Sequence, residues 1–224
     1  MKEIDFGELA ETYDDFYKTA LGQHIDKLEK AVVEELMQNI PAGKSLEIGC
    51  GTGHWTEYFA AKGNDIIAID ISREMVEIAE RKNIPNTICL VHDVRNMPFK
   101  ERFFENIFAI TSLDFLDKED KQKAFGEIKR VLKHYGYILV GGLNRKSSYI
   151  KALPKGNIIL RGSLFSVQEL REYLSLFGEP IIKGCIYWKD GEIIDEKLSE
   201  SEKNIEEAAF IVGVVRYDRF LEEK

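Results

Sequence analysis

The chain has 224 residues, with 31 Lys plus Arg against 39 Asp plus Glu and a formal net charge of -8. At 44% hydrophobic and 31% charged residues it has a globular composition, which excludes wholesale disorder. The acidic balance disfavours tight binding to bare nucleic acid, which needs clustered Lys and Arg. The cysteines Cys50, Cys89 and Cys185 form no C-x-x-C pair, so neither a disulfide framework nor a zinc site has anything to build on.

Met1 to Phe6 is acidic with no apolar run behind it, so no signal peptide is expected. No stretch approaches the roughly 18 consecutive apolar residues of a membrane span, and the expected compartment is a reducing cytoplasm. The first 40 residues read as helical. From His24 to Ile40 the apolar positions Ile25, Leu28, Val32, Leu36 and Ile40 recur at spacings of three and four, until Pro41 and Gly43 end the helix. Strands and helices then alternate. Ser45 to Ile48 is a strand, His54 to Lys62 a helix closed by Gly63, and Asp65 to Asp70 a buried strand. Ser72 N-caps a helix with Met75, Ile78 and Ala79 facing inward. Thr87 to His92 and Asn106 to Ser112 are strands, Lys118 to Leu132 is a helix, and Gly136 to Gly142 is a fifth strand.

Arg145 to Arg161 is basic and free of acids. Ser166 and Glu169 form a capping box before a helix that buries Leu170, Leu174 and Phe177. Two strands follow, near Ile181 to Trp188 and Ala208 to Tyr217, separated by an acidic stretch read as a solvated face. The alternation implies an α/β doubly wound, mostly parallel sheet of seven strands. Helices cover both faces, and the last two strands form an antiparallel pair at one edge. The chain reads as one domain: a helical cap at 1–40, a core at 44–142, a lid and helix at 143–179, and a terminal strand pair at 180–224.

In such a sheet, ligands sit beyond the carboxyl ends of the strands at the switch point. Leu46-Glu47-Ile48-Gly49-Cys50-Gly51-Thr52-Gly53 lies at the end of the first strand. Its glycines let the backbone approach a ligand and present N–H groups at a helix start. His54 stands where a dinucleotide fingerprint wants Gly or Ala. Glu47, two residues before the first glycine, would repel a pyrophosphate and suits a ligand bearing an ammonium group.

These residues resemble the first motif of the class I S-adenosylmethionine-dependent methyltransferases, of the small-molecule, ubiquinone-biosynthesis-like group, and the resemblance runs over essentially the whole chain. It implies a Rossmann-like fold and S-adenosylmethionine as cofactor, with S-adenosylhomocysteine as product. By resemblance, Glu47, Gly49, Cys50, Gly51 and Gly53 belong to the loop that cradles the methionine part. Asp70 would accept the ribose hydroxyls, and Ile71 would pack on the adenine. Asp93 and Val94 match the pair that meets the adenine amine, and Thr111 and Ser112 the strand end beside the methionine. Tyr13 and Tyr17 resemble aromatics that close over the cofactor from an N-terminal helix. The family's usual Pro-Gly-Gly before the fifth strand is replaced by His134-Tyr135-Gly136.

The sequence singles out no catalytic base. The acceptor is expected to be a small molecule, walled by the N-terminal helix and the segment from Arg145 to Phe165, whose basic residues suit an acidic acceptor. Two alternatives stand beside this reading: a noncatalytic S-adenosylmethionine-binding protein, and an NAD-dependent oxidoreductase, because Asp70 would equally suit a nicotinamide ribose.

Overall fold

The computed structural model describes residues 6–218. Residues 1–5, which carry most of the signal-peptide expectation, and residues 219–224 lie outside the described residues. Two short helices, α1 (Ala10–Tyr13) and α2 (Asp15–Lys18), precede the long α3 (Ala20–Met37). Thr19 caps α3 by accepting a hydrogen bond from the Gly22 amide at 2.9 Å. The buried face of α3 carries Ile25, Val32, Val33 and Leu36, and one acid, Glu29, stands in the same stripe.

Alternation then proceeds as β1 (Lys44–Ile48), α4 (His54–Ala61), β2 (Asp65–Asp70), α5 (Arg73–Arg81), β3 (Thr87–Val91), β4 (Phe104–Ile110), α6 (Lys118–Val131) and β5 (Leu132–Leu143). After it come α7 (Ser148–Ala152), α8 (Val167–Leu174), β6 (Ile181–Cys185), β7 (Trp188–Lys189), β8 (Glu192–Ile193) and β9 (Phe210–Arg216). Both expected caps form: Ser72 accepts from the Met75 amide and Ser166 from the Glu169 amide.

The seven-stranded sheet has the order β3-β2-β1-β4-β5-β9-β6. The pairs among β1 to β5 are parallel, and β9 runs antiparallel to both neighbours. The antiparallel strand therefore lies one place in from the edge, and β6 is the edge itself. Order reverses between β1 and β4, which is where a ligand crevice opens. One face packs under α3, α4 and α5 around Val33, Phe59 and Phe108; the other packs under α6 and α8 around Phe104, Phe125 and Leu170. Coverage of both faces explains the near-continuous apolar runs of the central strands.

One local expectation changes. The acidic stretch after β6 is not wholly solvated. It contains the β7–β8 ribbon, and buried Asp195 accepts from the Ile186 and Tyr187 amides at 2.8 and 2.6 Å, tying the stretch to the sheet. Tyr135 adopts φ +65°, a left-handed conformation that costs a non-glycine residue. It is held there by its amide bond to the Tyr217 carbonyl. Among the described residues, no helix is long and apolar enough to cross a membrane.

Candidate functional site

A cavity of about 410 Å³ opens at the carboxyl ends of β1, β2 and β4. Gly49 and Gly51 form its floor, both in the left-handed region, at φ +70° and +52°. A Cβ on Gly49 would stand 2.2 Å from the Ser112 Cβ, so only glycine lets β1 pass beside the end of β4. A Cβ on Gly51 would meet nothing within 4 Å, because that backbone faces open space.

Asp70 lines the cavity at the end of β2. Its Oδ2 accepts from the Gly51 amide at 2.8 Å and its Oδ1 from the Ser72 amide at 2.9 Å. Burial raises its carboxyl above the ordinary value, opposed by those amides. Each oxygen keeps acceptor capacity for a further donor. Ile71, beside it, is 56% exposed on the cavity wall, apolar surface that a flat ring would cover.

Asp93 and Val94 face Asp70 from the loop after β3. Arg95 clamps Asp93 through its Nε at 2.9 and 2.8 Å and a further guanidinium nitrogen at 2.6 Å, then reaches Asp120 at 2.6 Å. Burial pushes the Asp93 carboxyl up, but the Arg95 hydrogen bonds outweigh it and hold the group below the usual range. Thr111, β-branched, is held at φ +46° while its amide donates to the Gly141 carbonyl at 2.8 Å. Such strain clusters at ligand sites. Ser112 lines the same wall, and among the described residues its buried hydroxyl has no hydrogen-bond partner.

The N-terminal cap closes the fourth side. Asp14 accepts from the Thr52 hydroxyl of the glycine loop at 2.6 Å and pairs with Lys82 at 2.8 Å; Glu11 pairs with Arg81 at 2.9 Å. Phe6 meets Phe115 edge-on with ring centroids 4.8 Å apart, and both line the cavity. Tyr13 lines it too, its hydroxyl raised to about 12 by burial first and then by neighbouring carboxylates. Tyr17 does not. The helix is interrupted at Asp14, yet the two rings stay neighbours, with centroids 6.4 Å apart. Tyr17 stacks on His54 at 3.7 Å instead, and His54 binds Asp26 at 2.6 Å.

Of the residues expected from the sequence, Tyr13, Gly49, Gly51, Asp70, Ile71, Asp93, Val94, Thr111 and Ser112 meet in this cavity. Glu47, Cys50, Gly53 and Tyr17 stand behind its wall. Glu47 is 2% exposed, one of its oxygens has no partner among the described residues, and burial lifts its carboxyl to about 8. A Cβ on Gly53 would press on Ile84 and Ala79, so this glycine serves the packing of α4 on α5. Phe6, Arg95, Phe115, Leu116, Asp120 and Arg161 also line the cavity. The Asp-x-Arg spacing of an Asx turn was a signal for Arg95, whereas nothing local in the sequence marks the aromatics.

The site suits a nucleoside that carries an amino acid. It has a carboxylate with free acceptor capacity, an apolar shelf beside it, a buried hydroxyl and open glycine backbone. This defines a nucleoside-binding protein of the doubly wound α/β class. The family model described as Methyltransferase domain matches residues 46–136. Protein MJ1123 of Methanocaldococcus jannaschii is 34% identical over 182 residues, 80% of this chain and 82% of that one. The malonyl-[acyl-carrier protein] O-methyltransferase of Pectobacterium atrosepticum is 27% identical over 59% of this chain, which spans 49% of that relative's length. The fold matches the SAM-dependent methyltransferase TM1293 of Thermotoga maritima with a TM-score of 0.73 at 23% identity, covering 95% of this chain and 98% of that one. The chain therefore carries a methyltransferase domain at residues 46–136, on the fold of the S-adenosylmethionine-dependent methyltransferases.

Proposed function

We propose that the protein transfers the methyl group of S-adenosylmethionine to a small acceptor bearing an anionic group, in a reducing cytoplasm where its buried cysteines stay thiols. The observation that carries this reading is the convergence of Gly49, Gly51, Asp70 and Tyr13 on one cavity at the switch point. Asp70 would hold the ribose hydroxyls, Ile71 and Val94 the adenine faces, and Asp93 the adenine amine. Gly49, Gly51, Thr111 and Ser112 would meet the methionine part under Tyr13. Glu47, Cys50, Gly53 and Tyr17 would fix the loop and cap from behind. When bound, the sulfonium supplies an already activated methyl group.

The chain's own part is alignment and exclusion of water. The latch of Asp14 on Thr52 and Lys82 holds the cap down, and Phe6 on Phe115 shuts the mouth. Of the basic segment after β5, Arg161 is the residue that reaches the cavity, and among the described residues it has no ion-pair partner. Arg145 is committed to Glu169 and the Leu164 carbonyl. We assign Arg161 to the anionic group of the acceptor. The malonyl relatives fit this, since a malonyl group ends in a carboxylate.

Thermal-shift measurements with S-adenosylmethionine, S-adenosylhomocysteine and NADH test the core reading. The first two are expected to stabilise by about 2.7 kcal/mol at 100 times Kd, and NADH is expected to do nothing. Stabilisation by NADH alone overturns it. For the acceptor, turnover on a panel of carboxylates is followed by S-adenosylhomocysteine release. Arg161→Ala is expected to raise KM about three- to tenfold and to flatten its salt dependence. A KM that ignores both salt and the substitution removes Arg161 from the acceptor site.

A further inference from the structure

Arg161 reaches the cavity from the strap between α7 and α8, whose Leu164 and Phe165 are buried in the core. Two successive carbonyls of that strap are held by cations. Lys121, on α6, donates to the Ser163 carbonyl, and Arg145 donates to the Leu164 carbonyl at 2.6 Å. The Arg145 amide also donates to the Phe165 carbonyl at 2.9 Å. Among the described residues Lys121 is the one buried cation, 0% exposed, with its Nζ 4.1 Å from the centre of the Phe165 ring. Taking an ammonium out of water is costly unless its partners are well placed.

Both cations lean on one acid. Glu169 Oε1 lies 3.6 Å from the Lys121 Nζ, and Oε2 meets Arg145. Glu169 is the third residue of α8, where a capping-box carboxylate ordinarily turns back to the amide of the cap. Ser166 accepts from the Glu169 amide at 3.2 Å, but the Glu169 carboxylate goes to the two cations. On its other side the strap sits against the cavity wall. A Cβ on Gly162 would stand 2.9 Å from the Asp114 carbonyl oxygen and 3.2 Å from the Phe115 ring, and Phe115 lines the cavity. The residue that follows Arg161 is thus seated on the wall, and the next two are tied by their carbonyls to Lys121 and Arg145.

A buried ion pair adds little net stability, because desolvation cancels most of the attraction; what it supplies is a fixed geometry. We propose that Lys121, backed by Glu169, is a positioning residue of the acceptor site, which sets the strap so that Arg161 faces the cavity. Lys121 does not line the cavity itself. It acts through the backbone at Ser163, two residues beyond Arg161. The proposal deepens the assignment of Arg161 to the acceptor's anionic group and rests on it, and its test keeps the two apart.

The experiment compares the wild type with Lys121→Met, Arg161→Ala and the double variant. Lys121→Met keeps the apolar stem and removes the ammonium, while Glu169 keeps Arg145, so the thermal midpoint is expected to stay close to that of wild type. S-adenosylhomocysteine affinity is expected to hold within twofold. In that complex, amide exchange read by mass spectrometry is expected to quicken about tenfold across residues 158–166 and to stay unchanged in β1 and β2. Malonate and benzoate, added to the complex, are the anion probes. Their binding is expected to fall about three- to tenfold in Lys121→Met and in Arg161→Ala, and no further in the double variant, because both changes remove one contact. Glu169→Gln, which weakens the support behind Lys121, is expected to give part of the same loss and decides the matter if Lys121→Met does not fold. Strap exchange equal to that of wild type overturns the proposal, and so do losses that multiply in the double variant. Exchange that quickens throughout the chain with a fall in midpoint overturns it too, because Lys121 then only supports the core. If neither anion binds wild type, or Arg161→Ala leaves both unchanged, the anion assignment of Arg161 fails instead, and the exchange of the strap alone decides for Lys121.

Discussion

Replacing Asp70 by alanine is expected to weaken S-adenosylhomocysteine binding roughly 10- to 100-fold. The carboxylate spends one acceptor position on the Gly51 amide and one on the Ser72 amide, and keeps the rest toward the cavity. Two hydroxyls on that remaining capacity would form charge-assisted hydrogen bonds, about 1.5–3 kcal/mol together once exchange with water is counted. The same substitution frees the Gly51 amide, so the loop that faces the ligand loses its tie to β2. Asp70→Asn separates the two effects. It keeps one side-chain oxygen for an amide but brings no charge, so its loss falls between wild type and alanine. Calorimetry on the three proteins, with circular dichroism as a folding check, decides the matter. An affinity that Asp70→Ala leaves within twofold of wild type takes the residue out of the site.

Much of this arrangement is legible in the sequence because it is set by local rules. β2 is found at Asp65–Asp70 as its apolar run predicts, and the Ser72 and Ser166 caps need only a hydroxyl three residues ahead of an amide. The glycine loop is legible for the same reason: Gly49 is demanded by the passage of β1 beside Ser112, and Gly53 by the packing of α4 on α5. What local rules miss is contact between distant segments. A spacing of four brings the Tyr13 and Tyr17 rings near one another, but only Tyr13 lines the cavity, because Tyr17 stacks on His54 of α4. Glu47 reads as a carboxylate facing a ligand, yet its place in a central strand buries it beneath the loop. The basic segment after β5 reads as a charged wall, but Arg145 turns to Glu169 and a backbone carbonyl, and Arg161 is the basic residue of the segment that lines the cavity. The Phe6–Phe115 lid joins residues far apart in the chain, and no periodicity foretells it.

Stability is expected to fall as pH rises from about 5 to 8, the reverse of ordinary acid denaturation. Glu29 and Glu47 are raised from 4.5 to about 8, and Asp114 from 3.8 to about 7, with burial the leading cause in all three. A folded chain with raised carboxyls holds protons that the unfolded chain has already lost. Their contribution is complete below the unfolded values and disappears as pH climbs through the folded ones. Within the window each such group makes stability fall as pH rises. Asp14 and Asp93 act with the opposite sign: burial raises them, their cationic and hydroxyl partners lower them further, and their contribution is lost as pH falls below the ordinary carboxylate range. The two sets together place the maximum near the acid side of neutrality. Denaturant titrations at several pH values from 5 to 8 measure the slope, and Glu47→Gln isolates one contributor. With no proton to surrender, that variant should lose part of the slope and gain stability relative to wild type at pH 8. A wild-type profile that is flat or rising across the window, or a Glu47→Gln slope equal to that of wild type, would show that these carboxyls are ionised in the folded protein and have partners the fold supplies in another way.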